Sequence, residues 1–102
     1  MDKKLKESIY GCVGKGWRGI LDKLIDDLEK MGWNGEVLQV KEKFGGLRFY
    51  ISYGTKEIQD RIYKAEEESF ETCENCGKPG KLTGTYWIKT LCKECDELHN
   101  NH

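Results

Sequence analysis

Histidine is the scarcest catalytically useful residue in this 102-residue chain. The only two histidines, His99 and His102, stand at the C-terminal end. A catalytic site in which an imidazole acts as the general base for a serine or cysteine nucleophile therefore has only these two residues to draw on. Paired carboxylates are present, but they fall on strongly charged helix surfaces with no sign of burial. The sequence thus predicts that the chain is not an enzyme.

Long apolar runs are also missing. No apolar stretch approaches the ~20 residues that a membrane-spanning helix needs, so we predict no membrane span. Residues 1–7 are rich in lysine, but no apolar segment of the kind found in secretory signals follows them. The expected compartment is therefore the cytoplasm, where clustered cysteines bind metal more often than they form disulfides.

The composition is that of a folded, soluble protein, with 37% hydrophobic, 34% charged and 11% aromatic residues. The length indicates one compact domain with at most a small appendage, and a core of this size is often supplemented by a metal. The formal net charge is −1, whereas nucleic-acid-binding domains usually carry a distinct basic excess. The charge balance therefore argues against a general polyanion binder.

Four of the five cysteines form two C-x-x-C pairs near the C-terminus. The pairs, Cys73 with Cys76 and Cys92 with Cys95, are separated by residues 77–91, which is the spacing of a zinc ribbon. A tight turn within each pair aims both sulfurs at one ion, and the stretch between the pairs can fold back as a hairpin. Four thiolates complete a tetrahedron with no open position, so we predict one structural Zn²⁺.

One alternative ligand set replaces Cys95 with His99, which lies close behind it in the sequence. Because His99 and His102 have the character of tail residues, we keep the four cysteines as the predicted ligands. A second alternative, two unconnected redox or buried pairs, does not account for the match of both pairs and the loop length together. The remaining cysteine, Cys12, lies on the apolar side of a short predicted helix and is expected to be buried.

Hydrophobic periodicity predicts an α+β fold in the order helix, β-hairpin, helix, followed by a small zinc ribbon. The clearest helix covers residues 17–31, where apolar residues recur at helical spacing. A shorter helix is predicted over residues 3–13, before a glycine-rich loop, and another over residues 56–70. We divide the chain into an α+β domain, residues 1–71, and a ribbon with a polar tail, residues 72–102.

A β-hairpin is predicted between the two longer helices. Residues 37–41 are rich in β-formers, residues 47–53 alternate between apolar and polar side chains, and Gly45-Gly46 supplies the positive φ of a tight turn. The apolar face is expected to carry Leu38, Val40, Leu47, Phe49, Ile51 and Tyr53. The opposite face, which we call the polar hairpin face, is expected to carry Lys41, Lys43, Arg48 and Tyr50, with Gln39 and Ser52.

The polar hairpin face is a candidate binding surface, since its cations could contact phosphates and its tyrosine could stack on a base. The alternative is an ordinary solvated sheet face whose charge is diluted by Glu36 and Glu42. An exposed aromatic side chain such as Trp33, Tyr50 or Trp87 is the other candidate, because tryptophan and tyrosine concentrate binding energy at protein interfaces.

Residues 40–50, VKEKFGGLRFY, resemble a pattern found in small, mostly uncharacterised proteins of bacteriophages, prophages and mobile elements. In those proteins too a Gly-Trp pair, here Gly16-Trp17, opens a helix before the motif, and a Ser-x-x-x-C-x-x-C-G segment, here residues 69–77, leads into a zinc ribbon. The resemblance covers most of the chain from residue 16 to residue 95. It implies a source and a fold plan but no activity, and small phage proteins of this class often bind and redirect a host factor.

Two classes of function remain open. The first is a non-catalytic protein-interaction module that modulates a host factor or defence system in the host cytoplasm. The second is a nucleic-acid or nucleotide-binding module that uses the polar hairpin face and the zinc ribbon. The near-neutral charge favours the first class.

Overall fold

The computed structural model of the protein describes residues 1–100, apart from the side chains of residues 99 and 100. The fold class is α+β, as predicted. The helices are α1 (Lys3–Tyr10), α2 (Arg18–Lys30), α3 (Lys56–Ser69) and α4 (Lys93–Asn100), and a short 3₁₀ turn (Lys15–Trp17) precedes α2. The strands are β1 (Val37–Lys43), β2 (Gly46–Ile51), β3 (Lys81–Thr83) and β4 (Lys89–Leu91). They form two antiparallel hairpins, β1–β2 and β3–β4.

Two predictions at the C-terminus lie outside what the structure describes. They concern the imidazole of His99 as an alternative ligand and the tail residue His102. Within the part of the chain that is described, no helix has the length and apolar character to cross a membrane.

Helix α2 forms the centre of the core because its apolar residues fall on one face. Its buried residues are Ile20, Leu21, Leu24, Ile25 and Leu28. The helix ends just before Gly32, whose φ of 87° is a left-handed conformation that favours glycine. Helix α2 packs against α3, and α3 packs against β2. The core therefore lies between two helices and the inner face of the first hairpin.

The first hairpin turns one residue earlier than predicted. Phe44 and Gly45 occupy the turn with φ values of 53° and 82°, and Lys43 pairs with Gly46 across it. Positive φ at both central residues defines a two-residue type I′ turn, whose twist matches that of the flanking strands. Gly46 therefore belongs to β2, and Phe44, in a conformation that non-glycine residues seldom adopt, projects into solvent.

Two predicted members of the apolar hairpin face are wrong. The pairing register shifts between Val37 and Gln39, so Leu38 sits at an irregularity and is 69% exposed. Tyr53 lies beyond the end of β2 at Ile51, and it is also exposed. The members that do pack in the core are Val40, Leu47 and Phe49, with Ile51 at its margin.

The outer edge of β2 is capped by side chains of α3. The backbone N–H of Leu47 donates to Ser69 Oγ at 2.8 Å, and that of Phe49 donates to Glu66 Oε2 at 3.0 Å. A buried N–H without an acceptor would cost about 1–3 kcal/mol. Negative charge near the C-terminal end of a helix opposes the helix dipole, so the glutamate run at residues 66–68 is unfavourable for α3 itself. The hydrogen bond from Phe49 gives one member of the run, Glu66, a structural role.

Two predictions about single residues are also wrong. Cys12 is exposed, because α1 ends at Tyr10 and Cys12 falls in the turn that follows rather than on an apolar helix face. Trp33 is only 7% exposed and packs against Phe49 with 6.2 Å between ring centroids. Burial removes Trp33 as a surface anchor for a partner.

Candidate metal centre

The predicted ligands come together in space. The sulfur atoms of Cys73, Cys76, Cys92 and Cys95 all lie within 4.8 Å of one another. The Sγ atoms of Cys76 and Cys92 are 3.6 Å apart, close to the ~3.8 Å edge of a tetrahedron built from ~2.3 Å metal–sulfur bonds. That separation is much longer than the ~2.05 Å of a disulfide. The four cysteines could therefore hold one metal ion.

Each pair of sulfurs is placed by a tight turn. In the first turn, the N–H of Gly77 donates to the carbonyl of Cys73 at 2.9 Å, and Gly77 has a φ of 84°, which glycine adopts without strain. In the second turn, the N–H of Cys95 donates to the Sγ of Cys92 at 3.4 Å where α4 begins. Strands β3 and β4 pair between the turns and bring them together.

The cluster perturbs the ionisation of its own thiols. Burial raises the pKa of Cys73, but hydrogen bonds from the backbone amides of Cys92, Cys76 and Asn75 lower it more, to about 6. Hydrogen bonding with Cys92, followed by burial, raises the pKa of Cys95 to about 12. One thiolate forms readily and disfavours the next, so a cation among the four sulfurs would favour the ionisation of all of them.

Glu74, which lies between the first two cysteines, ties the centre to the second hairpin. It is 5% exposed, and its carboxylate accepts a 2.8 Å hydrogen bond from Lys89 Nζ, as a buried charge requires. Its backbone N–H donates to the carbonyl of Thr90 at 3.0 Å. The hydroxyl of Thr90 donates to the carbonyl of Gly45 at 2.6 Å. A chain of hydrogen bonds thus runs from the metal centre to the turn of the first hairpin.

The glycine-rich segment before α2, predicted only as a loop, rests on the first metal turn. A Cβ added to Gly16 would stand 2.1 Å from the carbonyl oxygen of Cys73, and one added to Gly14 would stand 2.2 Å from that of Glu74. The N–H of Gly16 also donates to the Glu74 carbonyl at 2.9 Å. Only glycine permits so close a backbone approach. The segment therefore supports the metal centre from the side of the α+β domain.

The polar hairpin face also brings its predicted residues together. Lys41 pairs directly with Arg48 across the hairpin, and each cation of the face lies over an aromatic ring. The cation–ring pairs are Lys41 with Tyr50 at 6.0 Å, Lys43 with Phe44 at 5.8 Å and Arg48 with Phe70 at 5.9 Å. The two glutamates expected to dilute this charge bond to neutral donors at the ends of the hairpin. Glu36 accepts from the Ser52 hydroxyl at 2.8 Å, and Glu42 accepts from a turn amide at 3.5 Å.

A group of exposed aromatic side chains lies where the tips of the two hairpins meet. Phe44 is 68% exposed and Trp87 is 71% exposed, while Tyr86 is fully exposed. All three line one shallow cavity together with Glu42 and Lys43. We call Phe44, Tyr86 and Trp87 the aromatic tip. Sequence reasoning singled out Trp87 but missed the group, because its members come from different hairpins.

No family model, curated protein or solved structure matches the chain. Its function must therefore follow from the residues of these sites.

Proposed function

We propose that the protein is a non-catalytic, zinc-dependent module that binds a partner protein. The observation that carries the zinc dependence is the cluster of four sulfurs within 4.8 Å of one another, and the exposed aromatic tip is the observation that supports a protein partner. The ion would be held by Cys73, Cys76, Cys92 and Cys95. Four thiolates in a tetrahedral arrangement suit Zn²⁺ and leave no position for water or substrate. The ion would therefore stabilise the fold without taking part in a reaction.

The ion would also hold the second hairpin against the first. Lys89 and Thr90 of β4 bond to Glu74, which lies between two ligands, and Thr90 bonds to Gly45 in the first turn. Removal of the ion would loosen these contacts and release the loop that carries Tyr86 and Trp87. Binding by the aromatic tip should therefore depend on zinc.

The aromatic tip favours a protein as the partner. Exposed tyrosine and tryptophan side chains concentrate binding energy at protein interfaces. Phe44 occupies a position of the type I′ turn that asparagine, aspartate or glycine usually fills. The tip thus combines three exposed aromatic side chains, one of them at a turn position that seldom carries an aromatic residue.

The resemblance to phage and mobile-element proteins supports a more specific form of the proposal. The most specific part of that motif, residues 43–48, forms the turn of the first hairpin and the start of β2. The motif therefore builds one half of the aromatic tip. On this basis the partner would be a host factor or a component of a host defence system, met in the host cytoplasm.

The experiment that tests the proposal is affinity capture from a bacterial lysate, followed by mass spectrometry of protein and nucleic acid. The zinc-loaded protein should retain a defined protein, and the double variant Tyr86→Ala, Trp87→Ala should lose it. Tyr53→Ala is the matched control, because Tyr53 is as exposed as Trp87 but lies at the other end of the first hairpin. Equal capture by the tip variant would contradict the proposal.

A nucleic-acid or nucleotide-binding function is the second candidate, and the three cations that lie over aromatic rings favour it. Phosphate contacts by Lys41, Lys43 and Arg48 would give a log–log salt slope of about −0.9 per contact on duplex DNA. The triple change of these residues to Ala should then abolish binding without lowering the melting temperature. Submicromolar binding of this kind at physiological salt would replace the protein-partner proposal.

A further inference from the structure

The two edges of the first hairpin differ in their hydrogen bonding. Side chains of α3 cap the outer edge of β2. On β1, Lys43 pairs with Gly46 beside the two-residue turn and Lys41 pairs with Arg48, so alternation places the N–H and C=O groups of Val40 and Glu42 away from β2. No hydrogen bond to these groups comes from the described residues, and β1 has no second neighbouring strand among them. The side of β1 that faces away from β2 therefore has no bonded partner among the described residues, and we call it the free edge; Val40 on it is 7% exposed and Glu42 is half-buried.

Two lysines flank this free edge on the polar hairpin face. Lys41 and Lys43 are two positions apart, so they are separated by about 7 Å along the strand. Neither makes an ion pair within residues 1–100 as far as their side chains are described. A strand added parallel to β1 would lie about 4.8 Å away, with its own side chains beside those of the two lysines. Carboxylates at alternate positions of that strand would match both lysines.

The same lysines select which strand can be added. Lysine on an edge strand deters pairing with apolar chains, because its charge would lose water without gaining a counter-charge. An acidic strand supplies that counter-charge, so the lysines favour it over other extended segments. At the turn end of the edge, Glu42 and Lys43 share a cavity with the aromatic tip. An apolar residue following the carboxylates would reach that tip.

A nucleic acid fits this surface less well. Arg48 shares its groove with Glu66 and Glu67, so a phosphate chain extended past Arg48 would meet carboxylates. The formal net charge of the whole chain is −1, which provides no long-range attraction for a polyanion. The free backbone edge also offers hydrogen bonds that a peptide backbone matches and a phosphate backbone does not.

We propose that an extended acidic segment of the partner protein adds to the free edge of β1 as a third strand. Its backbone bonds to Val40 and Glu42, its alternate carboxylates face Lys41 and Lys43, and an apolar residue beyond them contacts the aromatic tip. This inference rests on the proposed protein-binding function and specifies the chemistry of the partner.

The probe for this inference is the blocked peptide TEVEVW, with TQVQVW as its neutral twin. In the free protein, the amides of Val40 and Glu42 should exchange with solvent faster than those of Lys41 and Arg48, which are bonded across the hairpin. TEVEVW should slow exchange at Val40 and Glu42 by about tenfold or more, as followed by NMR. The neutral twin and a short dT oligonucleotide should have little effect at the same concentration.

Charge reversal tests the pairing directly. The double variant Lys41→Glu, Lys43→Glu should no longer bind TEVEVW and should bind the lysine peptide TKVKVW instead. Binding of TKVKVW would also show that the variant is folded. The matched control is Lys3→Glu, Lys4→Glu in α1, which should keep the wild-type preference.

Three results would overturn the inference. The first is that the neutral twin TQVQVW binds as well as TEVEVW, and the second is that the oligonucleotide protects the same amides. The third is protection that rises with protein concentration without any peptide, which would make a second copy of the chain the occupant of the edge. If TEVEVW fails while the tip variant still loses its captured protein, the protein-binding function stands and only the acidic strand is overturned.

Discussion

The indole Nε1 of Trp17 donates a 2.8 Å hydrogen bond to the backbone carbonyl of Thr72, the residue before the first cysteine of the metal centre. Trp17 is fully buried at the start of α2, so the helical core and the metal turn are joined by this side chain. This hydrogen bond crosses the boundary predicted between residues 71 and 72. Metal binding should stabilise the helical core as well as the ribbon.

Gly16→Ala tests the contact between the glycine-rich segment and the metal turn. The added Cβ would stand 2.1 Å from the Cys73 carbonyl oxygen, so the backbone must move, at a cost of about 1–3 kcal/mol or more. Gly19→Ala is the matched control in α2, because a Cβ at Gly19 would meet nothing within 4 Å and alanine should stabilise the helix by about 0.5–1 kcal/mol. Urea unfolding of the zinc-loaded protein measures both. Similar effects of the two changes would show that the segment does not rest on the turn.

Glu66→Ala tests the capping of the β2 edge. The N–H of Phe49 would lose its acceptor, and a donor left unsatisfied near the core costs about 1–3 kcal/mol. Glu67→Ala removes the same charge from the next, exposed position and should change the free energy of unfolding by less than about 0.5 kcal/mol. If both variants unfold at the same denaturant concentration, the capping bond contributes nothing.

Phe49→Ala tests which face of the hairpin is buried. Phe49 is 2% exposed and packs in the core, so its truncation should cost about 3–5 kcal/mol. The neighbouring change Tyr50→Ala lies on the opposite face, where the side chain is 41% exposed, and should cost much less. Chemical denaturation measures the difference, and near-normal stability of Phe49→Ala would mean that the faces are reversed.

Local patterns in the sequence were sufficient for α1, α2, α3, the first hairpin and the metal ligands, whereas α4 was predicted only as a polar tail. The apolar period of residues 17–31 needs only the geometry of one helix, and the C-x-x-C pairs need only one turn each. The α+β order and the clustering of the four sulfurs followed correctly from such signals.

Contacts between residues that lie far apart in the sequence could not be predicted from such local patterns. Glu66 bonds to a residue 17 positions away, and Thr90 bonds to one 45 positions away. Gly16 approaches a turn that lies far along the chain at Cys73. The prediction that Leu38 is buried was wrong for a more local reason. Strict alternation assumes a regular strand, whereas the pairing register shifts beside Leu38.

The pH dependence of stability should reveal the ion pair between α2 and α3. Arg61 Nε donates to Asp27 Oδ2 at 2.8 Å, and this hydrogen bond lowers the pKa of Asp27 below its usual value. A carboxylate with a lowered folded-state pKa stabilises the protein above its unfolded pKa, about 3.9, and loses that contribution as pH falls through the folded value. Asp27→Asn should therefore flatten the decline in stability on acidification.

Asp26→Asn is the control for the Asp27 experiment. It removes the same charge from the preceding residue, breaks only the exposed ion pair with Lys30 and leaves Arg61 bonded to Asp27. Loss of metal in acid should affect both variants alike, so the difference between their melting temperatures isolates the Arg61 pair. Superimposable curves of melting temperature against pH would contradict the assignment.

Cys76→Ser should remove the metal and unfold the ribbon. Binding of structural zinc to such sites contributes about 10–16 kcal/mol in peptides, and serine does not supply the thiolate that the ion needs. Because Trp17 and Gly16 bond to residues 72 and 74, the helical core should also melt at a lower temperature. Cys12→Ser is the matched control, since Cys12 is an exposed cysteine outside the cluster, and circular dichroism on heating measures both variants.

The central claim is that these four cysteines hold one zinc ion, and the metal content of protein purified without added metal tests it most directly. Inductively coupled plasma mass spectrometry should find one equivalent of zinc per chain in the wild type and in Cys12→Ser, and little in Cys76→Ser. Iron in place of zinc, or a zinc-free wild-type protein whose clustered cysteines are joined as disulfides, would contradict the account.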